Sequence, residues 1–294
     1  MHNEHSGALS NTLAACLKQT YPISHIYIVD DASLAPVQLP EFASTSSQIT
    51  VLRLSQNMGI SGARNTAIAL SKSEFIACVN TEVLPDPDWL ATCVSVFSNH
   101  PQVGACYTRL VAVHPERLLT QWRMRFLETK FDVESGFTPF APGHAVLFRR
   151  EALASVNGYN PALRLHHEDS DICFRLRKAG WETFYAAQSR CVSIQADSLG
   201  QLASKELRER GWYPQERRSP LALFSLCFAL SKFTLLRTGR NVVRGYFRLL
   251  PVDAAIWMSA MWIAAKRSLG VRAPTNHKPI TISSKEGVER RETG

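Results

Sequence analysis

Residues 26–33 read IYIVDDAS, four apolar residues followed at once by two carboxylates. A short, largely β-branched run that stops this abruptly is the pattern of a buried strand whose carboxyl end opens onto solvent or a ligand. The same design recurs at 50–54, 75–79, 104–110, 145–148 and 183–186. Stretches of helical period separate these runs. Leu9, Leu13 and Leu17 recur every four residues before Tyr21-Pro22, residues 61–71 have the same character, and a third helix is expected from Asp86 with Pro87 in its first turn. Strands alternating with helices predict an α/β fold, a mostly parallel, layered sheet flanked by helices. Two irregular stretches, 33–48 and 132–142, either border a binding cleft or are plain surface loops.

A chain of 294 residues that is 45% apolar can bury a sizeable core, which excludes a disordered protein. The net charge of +8 is unevenly placed: residues 1–200 hold 16 Lys and Arg against 18 Asp and Glu, and residues 201–294 hold 17 against 7. Three regions follow: a compact body over 1–200, a basic amphipathic helical region over 201–273, and a polar, disordered tail over 274–294. The seven cysteines are scattered with no C-x-x-C pair, which implies neither a disulfide framework nor a zinc knuckle and suits a reducing compartment. The N-terminus has no basic segment leading into an apolar run, so a cytoplasmic body is expected.

In open α/β sheets ligands gather at the carboxyl ends of strands, so the polar residues there are read together. One strand ends in Asp30-Asp31, another in Asn80-Thr81-Glu82, and between them NMGISGARN (57–65) carries glycines and Arg64 into a helix. A third acidic cluster lies in LHHEDSDICFRLRKAGW (165–181). Singly, these are an ordinary turn, a solvated strand end and a surface cation. Together they suit a nucleotide diphosphate, with carboxylates for base, ribose or metal and a cation for phosphate. His166 and His167 are adjacent and, if extended, point opposite ways, which argues against a shared metal ion. Residues 169–171 precede a helix with Ile172, Leu176 and Ala179 on one face, and Lys178 and Gly180 mark its end.

The order His2-Asn3-Glu4, QTYP (19–22), IVDDAS (28–33), NMGISGARN (57–65), FIACVNTEVLP (75–85), GHAVLFRREAL (143–153) and HEDSDICFRLRKAGW (167–181) resembles the glycosyltransferase family 2 enzymes with the GT-A fold. The resemblance runs over residues 2–195. It implies inverting transfer of a sugar from a nucleotide-diphosphate donor to an acceptor hydroxyl. Asp30 and Asp31 would bind the nucleoside, Arg64 the base or diphosphate, and Asn57 and Gly59 would also contact the donor. Asn80 and Glu82 would occupy the family's D-x-D site as ligands of Mg2+ or Mn2+. Asp169 would be the catalytic base with Glu168 beside it, and Gly143 and His144 would line the acceptor pocket.

Three departures qualify the likeness. The chain starts at Met1-His2-Asn3-Glu4 without the family's first apolar strand, so a gap in the sheet and an incomplete nucleoside pocket are expected. Asn80 replaces a carboxylate, and Ser193 stands where a histidine ligand is usual, so metal binding is expected to be weak.

Residues 220–236 form an apolar run interrupted by Lys232. Beyond it Arg237, Arg240, Arg244 and Arg248 recur on one helical face, and Trp257 and Trp262 precede Lys266-Arg267. This composition suits a helix pair in the headgroup region of an anionic membrane, or else helices packed on the body with their arginines in water. Nucleic acid is excluded by the apolar content and the lack of a reading motif. Trp122, Arg123 and Arg125 are acceptor contacts for an anionic or lipid-linked substrate, or else Trp122, Phe126 and Leu127 at helical spacing form a core face. The overall expectation is a glycosyltransferase, peripheral on the inner face of the cell membrane, that builds surface polysaccharide on a glycan or lipid-linked acceptor. The alternative is a truncated or degenerate, non-catalytic relative that binds a membrane or a partner.

Overall fold

A computed structural model describes residues 6–125, 134–208 and 220–268. The motif at His2-Asn3-Glu4, the first residues of the 132–142 stretch and the tail from Pro274 lie outside the described residues. The chain divides into two compact units, Met1–Ser198 and Leu199–Gly294.

In the first unit, α1 (Ser6–Leu17), β1 (Ile26–Asp30), α2 (Glu41–Ser44), β2 (Ile49–Arg53), α3 (Gly59–Leu70) and β3 (Phe75–Val79) come first. Then follow β4 (Val83–Pro85), α4 (Trp89–Asn99), β5 (Val103–Ala112), α5 (Leu118–Arg123), β6 (Gly136–Thr138) and β7 (Ala145–Arg149). The unit closes with α6 (Arg150–Ser155), α7 (Glu168–Lys178) and β8 (Glu182–Ser193). The layered α/β class is as expected, and the sheet is mixed. Strands β1 and β2 pair in parallel, as do β5 and β8, while β3/β7, β7/β5, β4/β8 and β6/β8 are antiparallel. Parallel neighbours need a crossover, and neither β4 nor β7 is entered through a helix.

The six-stranded sheet runs in the order β3-β7-β5-β8-β4, with β6 on β8, and β1 and β2 form a separate pair. On one face α4 buries Trp89, Cys93 and Phe97 with Cys106, Leu147 and Phe184. On the other, α6 and α7 bury Leu153, Ile172 and Leu176 with Ile76, Phe148 and Tyr185. Each such side chain contributes roughly 1.5–3 kcal/mol when fully buried. The β1/β2 pair has its own small core, in which Leu9 and Leu13 of α1 meet Ile28, Ala43 and Ile49. Strands β1 and β3 belong to different sheets and do not pair with each other. Trp122 and Arg123 are fully buried, and Arg123 Nε lies 2.7 Å from Asp197 Oδ1; Phe126 and Leu127 lie outside the described residues.

The second unit contains α8 (Leu199–Arg208), α9 (Pro220–Val243) and α10 (Leu250–Ser268). The expected continuous basic face from Arg237 to Arg248 is not what forms. Arg237 is buried, with its guanidinium 2.8 Å from Glu206 Oε1 and 2.6 Å from Asp253 Oδ1, and Asn241 completes the cluster with a 2.7 Å bond to Asp253. Helix α9 ends two residues before Gly245, whose φ of +74° suits a glycine stop. Arg240, Arg244 and Arg248 remain exposed. The segment Phe247–Lys266 is the one described stretch long and apolar enough to cross a membrane.

Candidate active site

The strand β1 delivers Asp30 and Asp31 into a tight turn, and both side chains are buried. Asp30 accepts from the Ser33 amide (2.9 Å) and the Val37 amide (3.3 Å) and meets Arg53 at 2.5 Å. Burial pushes its pKa up, yet the bonds from Ser33, Val37 and Arg53 outweigh that and hold it below the usual carboxylate range. Asp31 accepts from the amides of Met58 (2.6 Å) and Gly59 (2.8 Å), satisfying donors that the start of α3 cannot pair within the helix. Each of the four carboxylate oxygens therefore already accepts a bond from the protein. A nucleoside can meet these residues only through the remaining lone pairs.

Gly59 is required by geometry. Its φ is +76°, and a Cβ there would lie 2.4 Å from the Arg164 carbonyl oxygen. The same carbonyl accepts from the Ile60 amide at 2.9 Å, and Ser61 Oγ donates to the Leu163 carbonyl at 2.5 Å. Arg164 in turn donates to the Asn57 carbonyl and to Asn57 Oδ1. These bonds stitch the loop ahead of α7 onto the start of α3.

Five residues beyond Gly59, about 7.5 Å along the helix at the usual rise, Arg64 joins three separate motifs. Its Nη2 donates to the Gly143 carbonyl (2.7 Å) and Asn80 Oδ1 (3.0 Å), its Nη1 reaches Glu168 Oε1 (3.2 Å), and Tyr159 packs against it with the ring centroid 5.1 Å away. Burial would lower the guanidinium's pKa, but Tyr159, Cys78, Glu168 and Asp169 outweigh that and hold it protonated. Glu168 goes the other way: burial raises its pKa, Arg64 opposes the rise and Asp169 adds to it.

Asp169 is the half-exposed member of the pair. Its Oδ1 accepts from the Ser170 amide (2.7 Å) and its Oδ2 from the Gly143 amide (3.2 Å). Gly143 fits so closely that a Cβ would come within 3.2 Å of Asp169 Cβ and 3.3 Å of Glu168 Oε1. His144 is buried next to it, its carbonyl accepting from the Asn80 amide at 2.8 Å. The helix starts at Glu168, with His167 left-handed at φ +65°, so 168–171 lie inside α7 rather than before it. That turn brings the His166 and His167 rings edge to face at 4.8 Å instead of pointing them apart.

The expected metal site offers a divalent ion a single protein carboxylate. Asn80 Oδ1 faces the Arg64 guanidinium at 3.0 Å, Glu82 is exposed, and Ser193 is buried in the pairing of β8 with Val83. Among the described residues no three His, Cys, Asp or Glu side chains converge to hold an ion. Glu82 is the one carboxylate of the Asn80-Thr81-Glu82 trio.

Sequence reasoning missed Arg164, Tyr159 and Asn65. Asn65 and the Tyr159 backbone exchange two bonds, 2.7 and 2.8 Å, across a separation of 94 residues. The one available signal was position, Arg164 directly preceding LHHEDSD.

A family model described as Glycosyl transferase family 2 matches residues 1–156. The Pre-mycofactocin glycosyltransferase of Mycobacterium tuberculosis is 28% identical over 164 residues, covering 53% of this chain and 34% of its own length. An N-acetylglucosaminyltransferase of Rhizobium meliloti is 26% identical over 289 residues, covering 89% and 67%. The chain thus spans about a third of the first relative and two thirds of the second. Among solved structures, the mannosyltransferase PcManGT from Pyrobaculum calidifontis, in complex with GDP-Man and Mn2+, superposes with a TM-score of 0.53 at 18% identity, covering 92% of this chain and 85% of that one. That likeness establishes the GT-A type of fold.

Proposed function

The chain belongs to glycosyl transferase family 2, and from that membership and the site geometry we propose that it transfers a sugar, with inversion, from a nucleotide-diphosphate donor to a glycan or lipid-linked acceptor. The observation that carries the reading is Arg64, which holds Asn80, Gly143 and Glu168 together and leaves the neighbouring Asp169 half-exposed. The acceptor hydroxyl oxygen attacks the anomeric carbon from the side opposite the diphosphate, and the bond from that carbon to the phosphate oxygen breaks. The Asp169 carboxylate takes the hydroxyl proton, and the nucleoside diphosphate leaves with the bonding pair. A general base of this kind contributes typically ~10²–10⁴-fold. Glu168, locked against Arg64, positions the start of α7, while Gly143 and His144 form the acceptor wall. Asp30, Asp31, Asn57 and Gly59 shape the nucleoside side. A Mg2+ or Mn2+ ion, brought with the donor's diphosphate, would find Glu82 as its protein carboxylate and would neutralise the leaving group, and none of the steps above depends on it.

The reading extends to place. Phe224, Phe228, Leu235 and Val242 fall within about 40° of one another around α9 by helical geometry, and all four are exposed. With Arg240, Arg244 and Arg248 also exposed, the helical unit suits the inner, anionic face of a cell membrane, where the enzyme would extend a surface polysaccharide. The test is a panel of nucleotide sugars screened for a raised unfolding temperature, since a ligand that binds only the native state stabilises it. The stabilising donor is then offered with radiolabel to glycan and lipid-linked acceptors. No stabilisation by any donor, or stabilisation without transfer or hydrolysis, would support a non-catalytic relative instead.

A further inference from the structure

Asn80 follows β3 directly, and its backbone is held on both sides. Its amide donates to the His144 carbonyl at 2.8 Å and its carbonyl accepts from the Val83 amide at 3.1 Å, closing the turn that carries Thr81 and Glu82. The side chain is oriented by Arg64, whose Nη2 lies 3.0 Å from it. A guanidinium has only donors to offer, so the branch of the amide that faces it must be the oxygen, Oδ1. The Nδ2 group is thereby turned the other way. Among the described residues no protein acceptor meets it. Asn80 is exposed, and it lines one crevice with Asp31, Asn57, Arg64 and Glu82.

Turn chemistry does not account for this arrangement. An asparagine that opens a turn commonly bends its side-chain oxygen onto the backbone two residues on, and here that oxygen is committed to Arg64 instead. Metal ligation accounts for it no better. An ion bound to Oδ1 would stand beside the guanidinium, cation against cation at short range. A phosphate oxygen at Nδ2 meets the opposite situation. The N–H points away from Arg64, and an amide that accepts from a cation is polarised into a stronger donor.

Resting on the nucleotide-donor reading above, we propose that Asn80 recognises the donor's diphosphate directly, through a hydrogen bond from Nδ2 to a phosphate oxygen, and so lets the nucleotide bind without a divalent ion. Glu82 remains the place where an ion carried by the diphosphate can join. The residue type at position 80 then sets the demand for an ion. An aspartate there has the same shape and keeps an oxygen on Arg64, but it turns its second oxygen, in place of an N–H, toward the phosphate. Two anions would face each other unless a divalent ion came between them.

The test titrates UDP, GDP and ADP calorimetrically into the full chain and into its Asn80→Asp and Asn80→Ala variants, each with excess EDTA and again with Mn2+. The parent protein is expected to bind its preferred nucleotide in EDTA within about threefold of its affinity with Mn2+. Asn80→Asp should bind at least about tenfold more weakly in EDTA, the size of a lost hydrogen bond to a charged group, and recover most of that loss when Mn2+ is added. Asn80→Ala should show the loss in EDTA without the recovery. Unfolding midpoints report whether each variant keeps its fold, as Asn80→Asp should, since its bond to Arg64 survives. If Asn80 serves only to hold Arg64, Asn80→Asp will bind in EDTA as the parent does, and that result overturns the proposal. A parent protein that binds nucleotide only with Mn2+ also overturns it and leaves the donor reading standing. Failure of all three nucleotides to bind in both conditions overturns the two together.

Discussion

Arg64 and Glu168, 104 positions apart in the chain, meet as a buried pair with Nη1 and Oε1 3.2 Å apart. This pair couples α3, which is held at its start by Asp31, to the first turn of α7, which carries Asp169. Arg64→Met is expected to destabilise the body by about 3 kcal/mol, because it strands a buried carboxylate. Transfer should fall with it. Arg64→Met combined with Glu168→Gln should cost less than the sum of the two single changes, a coupling that a double-mutant cycle in urea reads directly.

Asp169→Asn keeps the acceptor oxygen that meets the Gly143 amide and removes the proton acceptor. Turnover should drop by roughly 10²–10⁴-fold while the donor dissociation constant stays within a factor of about three. Retained turnover in this variant would move the base to another residue.

The two perturbed carboxylates have opposite pH signatures. The Asp30 pKa is lowered from 3.8, so its contribution to stability is present above 3.8 and lost as the pH falls through the folded value. The Glu168 pKa is raised from 4.5, so its contribution is full below 4.5 and lost as the pH rises through the folded value. Asp30→Asn should therefore narrow its deficit against the parent protein below pH 3.8. Glu168→Gln should flatten the decline above pH 4.5. Unfolding midpoints across a pH series, measured for all three proteins, check both signs.

Gly59→Ala probes the seam between α3 and the loop before α7. With φ at +76° and a new Cβ 2.4 Å from the Arg164 carbonyl, the backbone must move. A loss of more than about 1 kcal/mol is expected, together with weaker donor binding, because Met58 and Gly59 are the groups that Asp31 holds. Isothermal titration with the stabilising nucleotide sugar would show whether binding and stability fall together.

What could be read in the chain was what repeats locally. The strand at 75–79 has the bounds its apolar run implied, because both ends are cut by polar residues. The strand expected at 183–186 continues to Ser193, since pairing of Arg109 with Arg190 through Ala112 with Ser193 carries it past Gln188 and Arg190, where the apolar pattern stops. Arg164 and Asn65 were invisible because their partners lie 107 and 94 residues away, and no periodicity encodes such a distance. Arg237 was misplaced for a related reason. Spacing put it in line with Arg240 and Arg244, but Glu206 and Asp253 draw it into the interior of the helical unit.

The exposed stripe on α9 gives the membrane proposal its own test. Phe224 is 75% and Phe228 66% exposed, so replacing them removes little internal packing. Each phenylalanine buried in a lipid headgroup region contributes roughly 1.5–3 kcal/mol, so the Phe224→Ser, Phe228→Ser double variant should bind anionic vesicles at least tenfold more weakly with an unchanged unfolding midpoint. Neutralising Arg240 and Arg244 to Gln should weaken the same binding and reduce its dependence on salt, since those side chains lie in water. Arg237→Met serves as the contrast. It leaves Glu206 and Asp253 buried without their cation, so it should lower stability by about 3 kcal/mol whether or not vesicles are present. Undiminished co-sedimentation of the phenylalanine variant with phosphatidylglycerol vesicles would rule out the α9 stripe as the membrane contact.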